Sequence, residues 1–528
     1  MKRFLLTTLF LCLSAFTFAD RYQINDVIYD IIGITTKYAL ERAVDIDKDR
    51  VFESYDELHE YVDNLRSLFN NLRNLSSSII NTTYDSTLDE EGICKVTLRI
   101  STVDSKHFLM VPYPKYNSND GFNLKLKAKD TNFLGTMETL NFDFNLSTEY
   151  KENSDKEFDY KVGMNFDYDY PFKLAMLDSS WNNDFGFSWT LGKNRPEFSY
   201  NTGFSFELPF KNYKLRLDLT QGIERNFDYS EYDDELFFTE AAKFSIPLKI
   251  AEIPNFDKVT FTPYIDYTWN WDNDGINKEN SDLSSPSLSA GYTVSTGRVN
   301  WNGNFRNGID MNMNPFAGYN YQKEEYFYGL SGTLEMYKSC KWIGLNARFY
   351  GFYDYNKTEK IGSMLRGIRD DQKYSKKKWN AKFPGKPNPK SLTTSAAIVG
   401  NVDIPIHIIT TDWNGFNEFL FGSDSWMYSH LKWMRYFDFE LQTSIFGDFA
   451  LTHNEYTGKT FAIRDGWYAG GVEVIVFPAK WRNLQVRASA GVDAGRKIVK
   501  KVSGKLFDGS WRSEPSALEI SIGIGLHY

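Results

Sequence analysis

From about residue 106 to the C-terminus, apolar and polar side chains alternate in segment after segment, each bounded by Asn, Asp, Gly or Pro clusters. Phe122, Leu124, Leu126 and Ala128 alternate with Asn123, Lys125, Lys127 and Lys129, and Leu140, Phe142, Phe144 and Leu146 with Asn141, Asp143, Asn145 and Ser147. Similar runs lie near 197–208, 211–221, 238–249, 258–269, 342–353, 394–408, 436–450, 467–478 and 483–494. The final run is the most regular: Leu518, Ile520, Ile522, Ile524, Leu526 and Tyr528 face one way, and Glu519, Ser521, Gly523, Gly525 and His527 the other. A period of two marks strands with unlike surroundings on their two faces. Counted this way, the pattern predicts about eighteen strands.

Residues 20–105 follow another rhythm. Tyr22 to Ile32 is strand-like and ends at Gly33, after which Thr35 or Thr36 can cap a short helix through Ala39, Leu40 and Ala43. Ser54-Tyr55-Asp56-Glu57 is a capping box, with Glu57 placed to reach back to the cap amide. Behind it Leu58, Tyr61, Val62, Leu65, Leu68, Phe69 and Leu72 share one helical face. Ile79 to Tyr84 and Ile93 to Ser101 then read as strands. The order strand, helix, helix, strand, strand predicts one small α+β domain.

The N-terminus supplies an address. Lys2 and Arg3 precede an apolar stretch from Phe4 to Phe18, and Thr17-Phe18-Ala19 fits a cleavage site before Asp20. Residues 1–19 therefore read as a secretory signal peptide. Aromatic residues make up 17% of the chain, more than a soluble core needs. For an exported chain, this favours strands with apolar side chains towards lipid and polar ones towards a wet interior. A soluble sandwich would also alternate, but the leader and the final aromatic-ended strand favour a barrel. Closure is expected, because an open sheet edge in lipid leaves amides unpaired. The expected fold class is thus mainly β: a transmembrane antiparallel β-barrel over 106–528 behind an α+β domain over 20–105.

Composition removes other classes. A net charge of −9 gives no support to nucleic-acid binding. Outside the leader no apolar run is long enough for a membrane-spanning helix. There is no G-x-S-x-G elbow, no H-E-x-x-H and no phosphate-binding loop. The six histidines are scattered without metal-ligand spacing. Neither a cofactor nor a metal is expected, and the chain does not read as an enzyme.

Several motifs together resemble the BamA-type outer-membrane assembly and translocation superfamily, in which POTRA domains precede a barrel. The N-terminal unit looks like a single POTRA domain. Asn132-Phe133-Leu134-Gly135-Thr136 is similar to a family turn, with Met137 where a second Gly is usual. Leu365-Arg366-Gly367-Ile368 resembles the family's V-R-G-(F/Y) tip of a long extracellular loop, here about 354–393. Asn401 to Pro405 and Phe446 to Ala450 are similar to elements of the two strands that follow. The resemblance implies sixteen strands, which would leave segments within 157–191 or 286–336 as loop hairpins. It also implies the outer membrane of a diderm bacterium, a periplasmic POTRA domain, and unfolded outer-membrane or secreted polypeptides as clients. Membrane lipid and accessory lipoproteins are further implied partners. A passive pore or surface antigen on the same scaffold is the alternative.

Physical chemistry then assigns roles. A guanidinium on a loop folded into a barrel must be paired, and its planar fork suits a carboxylate. Asp448 is the first expected partner of Arg366 and Asp403 the second, both inward-facing by alternation. Seven lysines from Lys373 to Lys390 read as a solvated or lipopolysaccharide-facing surface. Trp413 to Tyr436 is long and aromatic for a connection on the periplasmic side, and reads as an interfacial amphipathic segment. Finally, the seam between the first and last strands carries pairing defects: Pro112 and Pro114 on one side, Gly523 and Gly525 beside Tyr528 on the other. The two prolines either weaken that seam or lie in a linker before the barrel.

Overall fold

The computed structural model describes residues 21–117, 121–150, 158–210, 213–253, 257–280, 282–368, 372–495, 511–512 and 518–524. The expected leader, Gly525 and Tyr528 lie outside the described residues. The chain forms two compact units: residues up to His107 together with Thr131–Met137, and the remainder.

The first unit contains β1 (Arg21–Ile32), α1 (Lys37–Ala43), β2 (Val51–Phe52), α2 (Tyr55–Asn71), β3 (Leu75–Leu88) and β4 (Ile93–Asp104). Its sheet has the order β2-β1-β4-β3, with β1 and β4 parallel. Helix α2 turns Leu58, Val62, Leu65 and Phe69 onto this sheet, where they meet Ile24, Val96, Leu98 and Ile100. Thr36 caps α1 by accepting from the Ala39 N–H, and Ser54 caps α2 by accepting from the Glu57 N–H. Glu57 departs from the expected box. It accepts from the Glu53 N–H, one residue before the cap, because the Arg50 guanidinium also holds it at 2.8 Å.

The segment Thr131–Met137 completes this unit through Asp104. That carboxylate accepts from the Ile34 N–H at 2.7 Å, the Thr35 N–H at 3.0 Å and the Thr35 hydroxyl at 2.7 Å. Asn132 donates to the same Thr35 hydroxyl oxygen at 2.8 Å, and its own side-chain oxygen accepts from the Met137 N–H. Gly135 has φ +73°, and a Cβ there would stand 1.9 Å from the Ile34 carbonyl oxygen. Met137 itself sits at φ +60°. That left-handed backbone is one glycine adopts without strain, and Met137 compensates by packing on the unit's core.

The second unit is one antiparallel sheet. It runs through β5 (Phe108–Asn117), β6 (Gly121–Asp130), β7 (Leu140–Tyr150), β8 (Phe158–Leu174), β9 (Leu177–Thr190), β10 (Glu197–Phe210), β11 (Tyr213–Arg225), β12 (Leu236–Ser245), β13 (Leu248–Ile253) and β14 (Asp257–Trp271). It continues through β15 (Ser287–Asn302), β16 (Phe305–Asn320), β17 (Glu325–Ser339) and β18 (Gly344–Tyr355). After the short pair β19 (Glu359–Lys360) and β20 (Thr393–Thr394) come β21 (Ala396–Thr410), β22 (Phe439–Asn454), β23 (Lys459–Thr460), β24 (Trp467–Pro478), β25 (Val486–Asp493) and β26 (Glu519–Ile524). The order brings β26 back beside β5. Strand β13 continues β12 against the same partner, β14, and the two-residue β23 pairs with the end of β22 ahead of β24.

Eighteen crossings result among the described residues, not the sixteen implied by resemblance. The segments assigned to loop hairpins under that count, within 157–191 and 286–336, are full members of the sheet. Period-two alternation was the better guide, because every strand of such a wall must separate lipid from a wet interior.

The two ends of the wall differ. At the end where the chain enters at Phe108, β8 and β9 are joined by residues 175–176 and β15 and β16 by 303–304. At the other end the connections span 226–235, 272–286 and 356–395. Leu217, Leu219, Ile265, Leu288, Leu330 and Ile404 are exposed on the outer face. Phe210, Tyr213 and Trp342 are exposed near the turn end, and Tyr160, Trp189, Tyr326 and Tyr353 near the loop end. An apolar band between two aromatic girdles is the surface a bilayer covers. No helix of the described residues is long and apolar enough to cross a membrane.

Met137→Val puts a β-branched side chain at positive φ and is expected to destabilise the first unit by about 1–3 kcal/mol. Met137→Gly is expected to be near neutral, because relief of strain offsets lost packing. Amide exchange at Thr36 and Met137 in the full chain checks both.

Candidate functional site

The connection after β18 folds inward. Glu359 and Lys360 pair with Thr394 and Thr393 as a stem. Beyond it a single tight turn, Gly362–Met364, delivers Leu365 to Ile368 against the inner faces of β21, β22 and β25. The apolar members do the packing: Leu365 and Ile368 are buried in a cluster with Phe352, Ile361, Trp379 and Trp467. The Asn401 side chain on β21 donates to the Met364 carbonyl at 2.8 Å and fixes the turn's height.

Arg366 is the polar centre, its side chain only 5% exposed. Nε donates to Asp448 Oδ2 at 3.0 Å and Nη2 to Asp448 Oδ1 at 2.7 Å, a two-pronged pair. Nη1 donates to Asp403 Oδ1 at 2.7 Å, and the Arg366 backbone N–H to Asp448 Oδ2 at 2.9 Å. The guanidinium carbon lies 3.9 Å from the centre of the Phe446 ring, close enough for cation–π attraction. Burial opposes the positive charge. The hydrogen bond and charge of Asp448, with those of Asp403, outweigh it and hold the Arg366 pKa above its ordinary value. The choice between two carboxylates is resolved by both: alternation sets Asp403 and Asp448 on facing strands, with Asp448 opposite Asn401 and Asp403 opposite Phe446.

Gly367 makes the close approach. Its φ is +88°, and a Cβ would stand 2.6 Å from the Gly491 carbonyl carbon and the Val492 nitrogen of β25. A Cβ on Gly491 would in turn stand 3.0 Å from the Gly367 nitrogen. The Gly367 N–H donates to Glu519 on β26 at 3.0 Å. The tip is thereby tied to the last strand as well as to β21 and β22.

Gly491 and Glu519 are absent from the sequence-derived site. Alternation placed Glu519 on the inner face, but nothing in the chain said which loop would reach it. A second inner pair was also missed: Arg512 meets Asp493 and stacks 3.8 Å from the Trp467 ring. The preceding Trp511 accepts at its carbonyl from the Ser375 N–H at 2.7 Å. The lysine tract forms α3 (Lys376–Lys382), which buries Trp379 and leaves Lys376, Lys377 and Lys382 exposed.

At the seam, Pro112 lies opposite Leu126 and Pro114 opposite Leu124, so both stand within β5 and not in a linker. Gly523 lies opposite Arg487 in the β25–β26 ladder. The sheet order makes β26 and β5 neighbours, and their residue-by-residue register lies outside the described residues. At the turn end the Trp481 indole N–H, between β24 and β25, donates to the Phe108 carbonyl at 2.9 Å. Cys94 and Cys340 are both free.

No protein-family model matches the chain, and no curated protein does. Solved structures similar to it include BamA from Haemophilus ducreyi lacking POTRA domains 1–3, at 12% identity and a TM-score of 0.38, covering 96% of this chain and 85% of that one. CdiB from Acinetobacter baumannii is similar at 10% identity and a TM-score of 0.41, covering 89% and 70%. CdiB from Escherichia coli is similar at 8% identity and a TM-score of 0.38, covering 97% and 91%.

Arg366→Ala strands two buried carboxylates, and loss of one partner of a buried pair costs ~3–5 kcal/mol. The expected outcome is a released loop, seen as new protease cleavage within 365–390, while the sheet stays folded. Gly491→Val should also expel the tip although every charge is retained. Cleavage rates equal to those of the parent would contradict both expectations.

Proposed function

We propose that the protein is an outer-membrane insertase or translocator for unfolded polypeptides, of the BamA-type superfamily that its motifs resemble. The observation that carries this reading is the Arg366 tip, held inside the sheet by Asp448 and Asp403 and joined through Gly367 to Glu519 on the last strand. A loop anchored across the interior obstructs a simple open channel and puts the tip in contact with a seam strand. In this reading the first unit is a periplasmic POTRA domain. The outer edge of β3, at the end of its sheet, offers backbone groups beside exposed Ile79 and Tyr84, and a client adds there as a further strand.

The client then passes to the seam. Pro112 and Pro114 share strand parity, so their missing donors fall on one edge of β5. Lateral opening there gives a client a route into lipid. The role needs no cofactor or covalent chemistry, and accessory lipoproteins would act on the periplasmic unit.

Protein reconstituted in liposomes is expected to speed folding of a urea-denatured outer-membrane client. Removal of residues 20–105 should abolish that gain, and a cysteine pair crosslinked across β5 and β26 should block it until reduced. Steady ion conductance that ignores the deletion, without any acceleration of folding, would instead indicate a passive pore.

A further inference from the structure

The turn end of the sheet has one connection unlike its neighbours. Between β21 and β22 the chain forms α4 (Trp413–Phe421), α5 (Trp426–Leu431) and a final tight turn, Lys432–Phe437. Its base is closed: the Trp413 N–H donates to the Asp438 carboxylate at 2.9 Å, and the Trp413 indole N–H to the Phe437 carbonyl at 3.2 Å. Asp412 caps α4 by accepting from the Gly415 N–H.

This small hairpin is inside out. Its buried side chain is Asn417, 3% exposed, which donates to the Leu431 carbonyl and approaches the Met434 sulfur. Its large apolar side chains face outwards: Phe419 is 85% exposed, Trp426 70%, and Phe416, Leu420, Trp433 and Phe437 are exposed with them. In water such an arrangement forfeits the burial of apolar surface that drives folding. It is the expected arrangement where the surroundings are themselves apolar.

Two further observations name those surroundings. Exposed aliphatic side chains also stand on the strands the hairpin joins, Ile408 and Ile409 on β21 and Ile445 on β22, and on the neighbouring β24 at Val472. Cations also lie against tyrosines of the hairpin: Lys432 is 5.1 Å from the Tyr428 ring, and Arg435 and, from the next connection, Lys480 are 5.5 and 5.9 Å from that of Tyr436. Amphipathic rings beside cations suit the level of phosphate headgroups.

We infer that Trp413–Phe437 is an interfacial anchor that lies in the phospholipid leaflet at the turn end, its aromatic face in the acyl boundary and its cations on phosphates. Segments of this kind sit ~5–10 Å into the headgroup and acyl region. The anchor fixes the height of β21 and β22, the two strands that hold Arg366, relative to the membrane plane. The inference rests on the sheet standing in a bilayer and not on the handling of clients.

The test uses the full protein with Cys340→Ser and Phe419→Cys, labelled at position 419 with nitrobenzoxadiazole and reconstituted in phosphatidylethanolamine–phosphatidylglycerol liposomes. The expected result is strong quenching by lipid carrying a nitroxide near the glycerol end of its acyl chain, weaker quenching by a nitroxide near the chain terminus, and little by aqueous iodide. Phe416→Ser combined with Trp426→Ser in the labelled protein should reverse that order. Retention of heat-modifiable migration on gels shows that the sheet remains folded. A parent label reached by iodide, or shielded from both iodide and nitroxide lipid by a bound protein or second copy, overturns the inference.

Discussion

A guanidinium can leave water only if anions meet it at the spacing of its own fork, and Arg366 imposes that condition on the barrel interior. Asp448 must present both oxygens and Asp403 a third, so β21 and β22 must hold their register to within one residue. A one-residue slip of either strand would turn its carboxylate to the outer face. The same condition reaches β25, where the backbone of the tip comes so near that Gly491 has no room for a side chain. It reaches β26 through Glu519. One buried cation therefore correlates the positions of strands far apart in the chain.

How much of this could be read beforehand depends on the range of the interaction. Alternation is local, and it identified Asp403, Asp448 and Glu519 as inward-facing residues and suggested about eighteen strands, against eighteen crossings traced among the described residues. Resemblance gave the identity of the loop tip but misjudged that number, because it transfers a family's strand count without consulting β8, β9 or β15 to β17. Contacts between distant segments left no such trace. Nothing local marks Gly491 as the floor under Gly367, and nothing paired Arg512 with Asp493. Pro112 and Pro114 stood between two readings until their registers with Leu126 and Leu124 placed them in a strand.

The wall and the turn-end hairpin obey one rule with opposite appearances. On the strands, polar residues gather inside and aliphatic ones outside, so that β22 turns Gln442, Ser444 and Asp448 inwards and Ile445 outwards. In the connection between β21 and β22 the same sorting acts on helices, with Asn417 within and Phe419 without. Hydrophobic burial has not been waived at these positions. The partner surface lies outside the chain.

The first unit carries a different lesson. Its Asp104 node is completed by Asn132 and Gly135, residues that follow the first hairpin of the sheet. Although β1 to β4 precede the large sheet in the chain, that node cannot close until β5 and β6 have also been made. The small unit is therefore a discontinuous folding module: its final closure reports that the first β-hairpin exists, which makes it a natural checkpoint in the biogenesis of the chain itself.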